Sequence, residues 1–193
     1  MKNIFLIILT TMFMFSCTSR TVAESAPQHE QSTDKDAVLE ITFTFTRLRG
    51  VASNQFAVWV EDSQGQYVTT LYATRWTARG GWRRRPTSIP EWVRASGAAE
   101  RPSYQIDAVS GATPSTGTLT YTWDGTDSEG RLVPDGEYTI ILEGTLRWAN
   151  QVYFRAPINL GQGSVTAEVT VEYVGDATDD RAMISNVSVQ VLR

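Results

Sequence analysis

The chain has 193 residues, of which 41% are hydrophobic and 20% are charged, a size sufficient for one domain with a sizeable core. Its formal net charge is −4, which argues against nucleic acid as a partner. It contains one cysteine and one histidine, so an internal disulfide is excluded and few residues remain for cysteine- or histidine-based chemistry.

Residues 1–16 have the pattern of a signal peptide. Lys2 gives a positive start, and the apolar run over residues 4–15 is too short for an ordinary transmembrane helix. Ser16 and Cys17 follow, and the segment resembles a loose bacterial lipobox. The resemblance implies cleavage before Cys17 and lipid modification of that residue, which would anchor the chain to a membrane. The alternative is a conventional signal peptide cut slightly later, with Cys17 lost.

Residues 17–36 predict a flexible tether that begins with the lipidated cysteine. They are polar, carry charges of both signs and hold few large apolar side chains. The single histidine, His29, lies here, so the chain from residue 37 onward has neither histidine nor cysteine. This excludes Ser-His-Asp and Cys-His catalysis, zinc fingers and histidine-based metal sites in the folded part.

From residue 37 onward, apolar and polar residues alternate. Ile41, Phe43 and Phe45 alternate with threonines, which is typical of a half-buried strand. The same alternation recurs along the chain, at residues 56–60, 68–74, 119–123, 138–142, 165–173 and 187–191. A hairpin turn is expected at residues 62–65, and no segment shows a helical period. About seven or eight strands over residues 37–193 predict an all-β fold, a single antiparallel immunoglobulin-like β-sandwich behind the signal peptide and disordered tether.

Residues 75–106 interrupt this rhythm and are too long for a simple connection. They are rich in tryptophan and arginine. One interpretation is a basic surface loop whose tryptophans cover the end of the sandwich. The other is a partner or ligand surface that includes Trp82, Arg83, Arg84 and Trp92, because tryptophan and arginine often anchor interfaces.

Residues 107–113 read Asp-Ala-Val-Ser-Gly-Ala-Thr, and Pro114 follows. Gly111 permits a chain reversal and lets a bulky group approach the backbone closely. Pro114 favours an extended conformation at Thr113, which directs its hydroxyl. Asp107 can accept N–H bonds from the following residues and hold the start of the loop. On these residues alone, a plain polar turn between strands is the alternative.

This heptapeptide resembles the flavinylation motif of bacterial FMN-carrying proteins, Asp-x-x-Ser/Thr-Gly-Ala-Thr. In those proteins a flavin transferase takes FMN from FAD and joins its phosphate to the final threonine. The resemblance implies covalent FMN on Thr113, at a site exposed to the transferase. It also implies that Asp107, Ser110, Gly111 and Ala112 form the recognised segment.

Residues 123–138 are rich in turn formers and resemble the immunoglobulin-like module of flagellar hook-capping proteins. We expect Trp123 and Tyr138 to face each other on paired strands. The carboxylates of Asp124, Asp127 and Glu129 do not have the spacing of an EF-hand loop, so no metal site is predicted.

Four segments together resemble one uncharacterised family of predicted bacterial periplasmic proteins: residues 55–77, 107–117, 123–138 and 140–161. Members look like single immunoglobulin-like sandwiches, and their genes lie near those of flavin transferases and membrane redox proteins. The resemblance implies a cell-envelope location, on the periplasmic side or the cell surface. The implied partners are a flavin transferase, a membrane redox protein and, through the lipid anchor, the membrane.

The leading functional hypothesis is an extracytoplasmic, lipid-anchored flavoprotein that transfers electrons through FMN on Thr113. The second is a non-catalytic immunoglobulin-like binding or structural module of the cell envelope, with residues 75–101 as its working surface. A hydrolase that pairs Asp107 with Asp124 or Glu143 ranks last, because each of these acids has a ready role in a turn or on the solvent face of a strand. The sequence therefore favours an electron carrier or a binding module over a stand-alone catalyst.

Overall fold

The computed structural model describes residues 38–176 and 178–193; the signal peptide, Cys17 and the tether predicted for residues 17–36 lie outside them. The strands of the described residues are β1 (Leu39–Phe45), β2 (Gln55–Asp62), β3 (Tyr67–Thr74), β4 (Ser110–Gly111), β5 (Gly117–Trp123), β6 (Gly136–Arg147), β7 (Asn150–Leu160), β8 (Val165–Thr166), β9 (Thr170–Val174) and β10 (Ile184–Val191). The helices are α1 (Arg75–Ala78), α2 (Pro90–Ala95) and α3 (Ser103–Ala108), with 3₁₀ helices at Gly81–Arg83 and Asp179–Met183. None of the described helices is long and apolar enough to cross a membrane.

The strands form two sheets that pack face to face. One sheet has the order β5-β1-β10-β8 and the other β4-β3-β2-β6-β7-β9. Neighbouring strands are antiparallel except for β4, which pairs parallel to β3. The predicted all-β sandwich is therefore confirmed, and β4 at the edge of the larger sheet is its departure from a purely antiparallel arrangement.

The core between the sheets comes from alternate positions on each strand. On β1, Ile41, Phe43 and Phe45 are buried while the threonines between them are partly exposed, because successive side chains point to opposite faces. Phe56 on β2 meets this row from the other sheet. Its ring centroid lies 5.5 Å from that of Phe43 and 5.3 Å from that of Phe45. These contacts join the two sheets through aromatic packing.

The central strands of the larger sheet are buried on both faces. On β2, Phe56, Val58 and Val60 face the other sheet, whereas Ala57 and Trp59 belong to a second cluster on the outer face. The strand predicted at residues 56–60 is confirmed, but the expectation that only one of its faces is buried is wrong. The alternation is real, but a separate layer covers the outer positions.

Residues 75–108 form this covering layer, which we call the cap. From the cap, Ala78, Ile89, Trp92 and Ile106 pack into the second cluster. The expectation that residue 37 onward lacks helices is wrong, because α1, α2 and α3 lie in the cap. Each has at most six residues, too few to show a helical period. The cap covers the outer face of the larger sheet, and only its residues 75–88 extend to one end of the sandwich, which corrects the surface-loop interpretation in part.

Two further expectations are partly corrected. Residues 165–173 do not form one strand: β8 pairs with β10 in the smaller sheet, whereas β9 pairs with β7 in the larger one. Trp123 and Tyr138 do face each other, with ring centroids 5.5 Å apart, but they lie on β5 and β6 of different sheets. The expected contact is confirmed, and it bridges the sandwich instead of joining paired strands.

The turn predicted at residues 62–65 is confirmed between β2 and β3. The carboxylate of Asp62 accepts the backbone N–H groups of Gln64 and Gln66, each at 2.9 Å. Asp62 at the start of the turn and Gly65 at its end thus close this hairpin, and the N–H of Gly65 donates to the carbonyl of Asp62 at 2.9 Å.

We expect the cap to behave as core. Replacing the fully buried Trp92 with alanine should lower the free energy of unfolding by about 3–5 kcal/mol, because it removes a large aromatic side chain from the second cluster. Urea denaturation measures this loss. Trp148→Ala is the control: that side chain is 60% exposed, so its replacement should change stability by about 0.5 kcal/mol or less. Similar losses in the two variants would contradict a packed cap.

Candidate functional site

Residues 107–113, here called the motif segment, run along the edge of the larger sheet. Asp107 lies in the last turn of α3, Ser110 and Gly111 form β4, and residues 112–115 continue without regular structure towards β5 in the other sheet. The chain does not reverse at Gly111, although glycine permits it, and the alternative of a plain turn is wrong because Ser110 and Gly111 form a strand. The segment instead leads from the cap, along a sheet edge, to the opposite sheet.

Hydrogen bonds from β3 hold the motif segment in place. The backbone N–H of Ala73 donates to the carbonyl of Val109 at 2.9 Å. The hydroxyl of Tyr72 donates to the carbonyl of Ala112 at 2.6 Å. Burial raises the pKa of Tyr72 to about 12, so this hydroxyl keeps its proton at neutral pH and remains a donor.

Gly111 is required by the ring of Tyr72. A Cβ atom at position 111 would lie 2.7 Å from Cε2 of Tyr72 and 2.9 Å from its hydroxyl oxygen. The ring cannot easily move away, because it stacks on Phe56 and Tyr121 with centroid distances of 5.3 and 4.8 Å. The expected close approach of a bulky group to this glycine is confirmed, and the group is a tyrosine of the same domain.

Two guanidinium groups flank the C-terminal half of the motif segment. Arg47 Nη1 donates to the carbonyl of Thr113, and Arg75 Nη2 donates to the carbonyl of Ser110, both at 3.4 Å. Both arginines are exposed, and within the described residues neither is ion-paired with a carboxylate. Thr113 itself is half-buried, whereas Ala112 is exposed. The threonine is therefore accessible on one side, in a positively charged setting.

The other polar residues of the motif segment have different surroundings. The Ser110 side chain is buried, and its hydroxyl has no hydrogen-bond partner in the described part of the chain. Asp107 forms an ion pair with Arg79 at 3.1 Å, with both side chains largely exposed. An exposed ion pair of this kind stabilises the fold little. Asp107 lies in a helical turn and does not hold the start of a loop as expected.

The predicted partner surface is only partly available. Trp92 is fully buried, with its indole N–H donating to the hydroxyl of Thr70 at 2.9 Å, so its assignment to a surface is wrong. Trp82 is half-buried, and Arg83 and Arg84 are exposed. The physical reason is that α2 turns Trp92 towards the outer face of the larger sheet, where apolar burial is most favourable.

A cleft of about 300 Å³ brings Asp107 together with two of these residues. Trp82, Arg83 and Arg79 line it with Asp107, and the guanidinium of Arg83 lies 4.8 Å from the centre of the Trp82 ring. The structure thus joins part of the predicted partner surface to the start of the motif segment.

Glu143 is a buried acid that the sequence placed on a solvent face. It lies on the outer face of β6 beneath the cap, where its carboxylate accepts the backbone N–H of Glu91 at 3.2 Å and that of Trp92 at 2.8 Å. These bonds satisfy the first free N–H groups of α2. Burial raises the pKa of Glu143 to about 7, and the two N–H bonds oppose that rise. Only the length of the 75–106 insertion could have signalled that this face is covered.

The acids considered for a paired-carboxylate site have separate structural partners. The carboxylate of Asp124 accepts the backbone N–H of Thr126 at 2.9 Å and its hydroxyl at 2.6 Å. Asp107 pairs with Arg79, and Glu143 holds α2. In the ranges that the structure describes, no three acidic, histidine or cysteine side chains come together to hold a metal ion. Each of the three acids therefore has a structural role of its own.

Comparison with known protein families gives one match. The matching family is described as "Predicted periplasmic protein (DUF2271)", and the match covers residues 38–176. No curated protein and no solved structure matches the chain.

Gly111→Ala should lower the free energy of unfolding by about 1–3 kcal/mol, because the added Cβ overlaps the stacked ring of Tyr72. Gly111 is not in the left-handed backbone region, so the loss would come from this overlap. Urea denaturation gives the value, with Ala112→Ser at the exposed neighbouring position as the control. A variant as stable as the parent would show that the ring is free to move.

Stability should also depend on the protonation of Glu143. Its folded pKa of about 7 lies above its ordinary value of 4.5, so the folded state binds this proton more tightly than the unfolded state does. The contribution of Glu143 to the free energy of unfolding is fully present below about pH 4.5 and is lost as the pH rises through 7. Denaturation at a series of pH values should show this slope, and Glu143→Gln should flatten it. The exposed control, Glu137→Gln, should retain it; an unchanged slope in Glu143→Gln would contradict the assignment.

Proposed function

The chain belongs to the DUF2271 family of predicted periplasmic proteins, and we propose that it is an extracytoplasmic, lipid-anchored flavoprotein. It carries FMN covalently on Thr113 and exchanges electrons with a membrane redox protein. The observation that carries this proposal is the position of Thr113, which is half-buried in the connection after the edge strand β4, with Arg47 bound to its carbonyl and Arg75 bound to that of Ser110. A flavin transferase approaching from outside meets its side chain there.

The surroundings of Thr113 suit a phosphoester. A phosphate joined to this residue keeps a negative charge, and guanidinium groups form strong charge-assisted hydrogen bonds with phosphate oxygens. Arg47 and Arg75 already donate to the backbone of the motif segment and are free of carboxylate partners in the described part of the chain. They are the residues that would hold the phosphate.

Small residues support access to the same point. Gly111 has no side chain, and the side chain of the exposed Ala112 ends at Cβ. The space at Gly111 is taken by the Tyr72 ring, so it is the short, exposed side chain of Ala112 that leaves room for an enzyme to bring a bulky flavin nucleotide against Thr113. Pro114 restricts Thr113 to extended conformations, which limits the directions open to its hydroxyl.

The attachment exchanges one phosphate bond for another. The hydroxyl oxygen of Thr113 bonds to the phosphorus of the FMN half of FAD, the phosphoanhydride bond to AMP breaks, and AMP leaves. The hydroxyl proton passes to a base of the transferase. This chain contributes the oxygen and the flanking cations; the attached flavin supplies the electron-transfer chemistry.

Covalent attachment answers a physical problem of location. A freely dissociating cofactor outside the cytoplasm would be lost, whereas a phosphoester keeps it with the protein. The lipid on Cys17 would keep the whole carrier close to its membrane partner, because several acyl chains anchor a protein stably. Cys17 lies outside the described residues, so this part of the proposal rests on the sequence.

A non-catalytic binding module of the cell envelope is the second candidate. It is favoured by the exposed aromatic side chains of Trp76 and Trp148, which are 44% and 60% accessible. In that case Thr113 remains unmodified, and the arginine- and tryptophan-rich surface is the working part. A parent chain that carries no flavin after expression with a transferase, but loses partner binding when Arg83→Glu and Arg84→Glu are combined, would favour this candidate.

Expression with a flavin transferase tests the leading proposal. The full chain should show flavin fluorescence on a denaturing gel and an intact mass increased by FMN, and Thr113→Ala should lose both. Ser115→Ala is the control, since Ser115 carries an exposed hydroxyl in the same connection and its replacement should leave the label in place. A colourless parent chain, or label retained in Thr113→Ala, would contradict the proposal. The intact mass from the native host would report the lipid and the flavin together.

A further inference from the structure

Loops of both sheets meet at the end of the sandwich that carries Thr113. There β1 ends opposite the start of β5 and of β10, and β2 begins opposite the last residues of β6. This end, here called the Thr113 end, includes residues 46–54, 75–88, 109–116 and 146–149. Its arginines without a carboxylate partner among the described residues are Arg47, Arg49, Arg75, Arg83, Arg84 and Arg85.

The opposite end of the sandwich is acidic. Its turns lie at residues 61–66, 124–137 and 161–168, and they carry Glu61, Asp62, Asp124, Asp127, Glu129, Asp135, Glu137 and Glu168 beside Arg131. Asp176 and Asp180 lie towards the Thr113 end, where Asp180 is ion-paired with Arg147 at 2.8 Å. Although the net charge of the chain is −4, positive charge is concentrated at the Thr113 end of the domain and negative charge at the opposite end.

Exposed apolar side chains accompany the arginines. Val51 is 72% exposed, and Trp76 and Trp148 are exposed at the same end. Hydrogen bonds join the loops that carry them: the N–H of Trp148 donates to the carbonyl of Ala52 at 2.8 Å, and the hydroxyl of Thr87 donates to the carbonyl of Trp148 at 3.1 Å. Chain segments far apart in sequence thus form one surface.

Arg85 in this surface lacks a counter-ion. Its guanidinium lies 4.8 Å from the centre of the Trp76 ring, and its Nη2 donates to the hydroxyl of Ser88 at 3.0 Å. Its Nε is buried and has no hydrogen-bond partner in the described residues, and burial lowers the pKa of this arginine. Because no carboxylate of the described residues pairs with it, Arg85 adds an uncompensated positive charge to this surface.

The backbone at this end is also held in uncommon conformations. Ala52 has φ of 62° and Trp148 has φ of 53°, both in the left-handed region that side chains rarely adopt. The two residues are joined by the hydrogen bond between the N–H of Trp148 and the carbonyl of Ala52. At Trp148 the two-residue hairpin loop between β6 and β7 accounts for this conformation, and the loop presents the indole at this end.

We propose that the Thr113 end docks a protein that presents an acidic surface, with Arg49, Val51, Trp76, Arg84, Arg85 and Trp148 as the contact residues. Tryptophan and arginine are the residues that most often anchor protein interfaces, and opposite charge steers weak complexes together. A membrane fits less well. The apolar side chains are interspersed with arginines, and a guanidinium covers the Trp76 ring, so there is no continuous apolar patch to enter lipid.

The proposed function gives this contact its purpose. Arg47 and Arg75 continue the basic surface to the motif segment, so a partner docked here lies beside Thr113. A small, charge-steered interface is typical of redox partners, which must bind and separate quickly. Only the identification of the docked protein as a redox partner rests on the proposed function.

A labelled acidic peptide tests the docking surface. Fluorescein-labelled poly-L-glutamate is titrated with the full chain carrying Thr113→Ala, so that no flavin is present, and binding is followed by fluorescence anisotropy. We expect binding that weakens with added salt and falls about tenfold when Arg49→Glu and Arg84→Glu are combined. The matched control combines Arg94→Glu and Arg131→Glu, which changes the net charge equally away from the surface and should leave binding in place.

Three results would overturn the proposal. These are no measurable binding, equal weakening in the surface and control pairs, and tighter binding to phosphatidylglycerol vesicles than to the peptide, which would assign the surface to a membrane. If the reversal pair does not fold, Arg49→Gln with Arg84→Gln gives the same comparison. Because the chain carries Thr113→Ala, this result is independent of whether flavin attaches, and the mass measurement on the parent chain is independent of docking.

Discussion

The structure depends on covering the outer face of the larger sheet. Alternation along β2 buries Phe56, Val58 and Val60 against the other sheet, but the same strand carries Trp59 on its opposite face. Leaving so large an apolar surface in water is unfavourable, and the cap removes it from solvent. The Glu143 carboxylate fixes where the cap lies on the sheet, because it accepts two backbone N–H groups at the start of α2.

The cap also positions the candidate site. Its last helix, α3, ends beside β3, and the chain then adds β4 to the edge of the sheet. Tyr72 locks this addition, since its ring lies against Gly111 and its hydroxyl binds the carbonyl of Ala112. The location of Thr113, in the segment that connects β4 of one sheet to β5 of the other, follows from this edge strand. Because the Tyr72 ring stacks on Phe56 and Tyr121, the packing between the sheets also fixes the motif segment.

Charge adds a second level of organisation to this scaffold. The loops at one end are rich in arginine and those at the other in aspartate and glutamate, although the chain as a whole is mildly acidic. Such a separation orients approaching partners before contact. It also places the proposed attachment point within the basic half, where a phosphate and an acidic partner would be accommodated by neighbouring groups.

The sequence by itself determined the class of fold and the segment of interest. The alternation at Ile41, Phe43 and Phe45 requires a strand with one buried face, and the turn residues at 62–65 close a hairpin, because these are local properties of the chain. The tertiary structure decided which residues are covered by segments distant in the sequence. Trp92 and Glu143 look like surface residues until α2 lies over β6, and Gly111 looks like a turn residue until the ring of Tyr72 comes against it. Burial and close approach are set by segments distant in sequence, which is why only the folded chain reveals them.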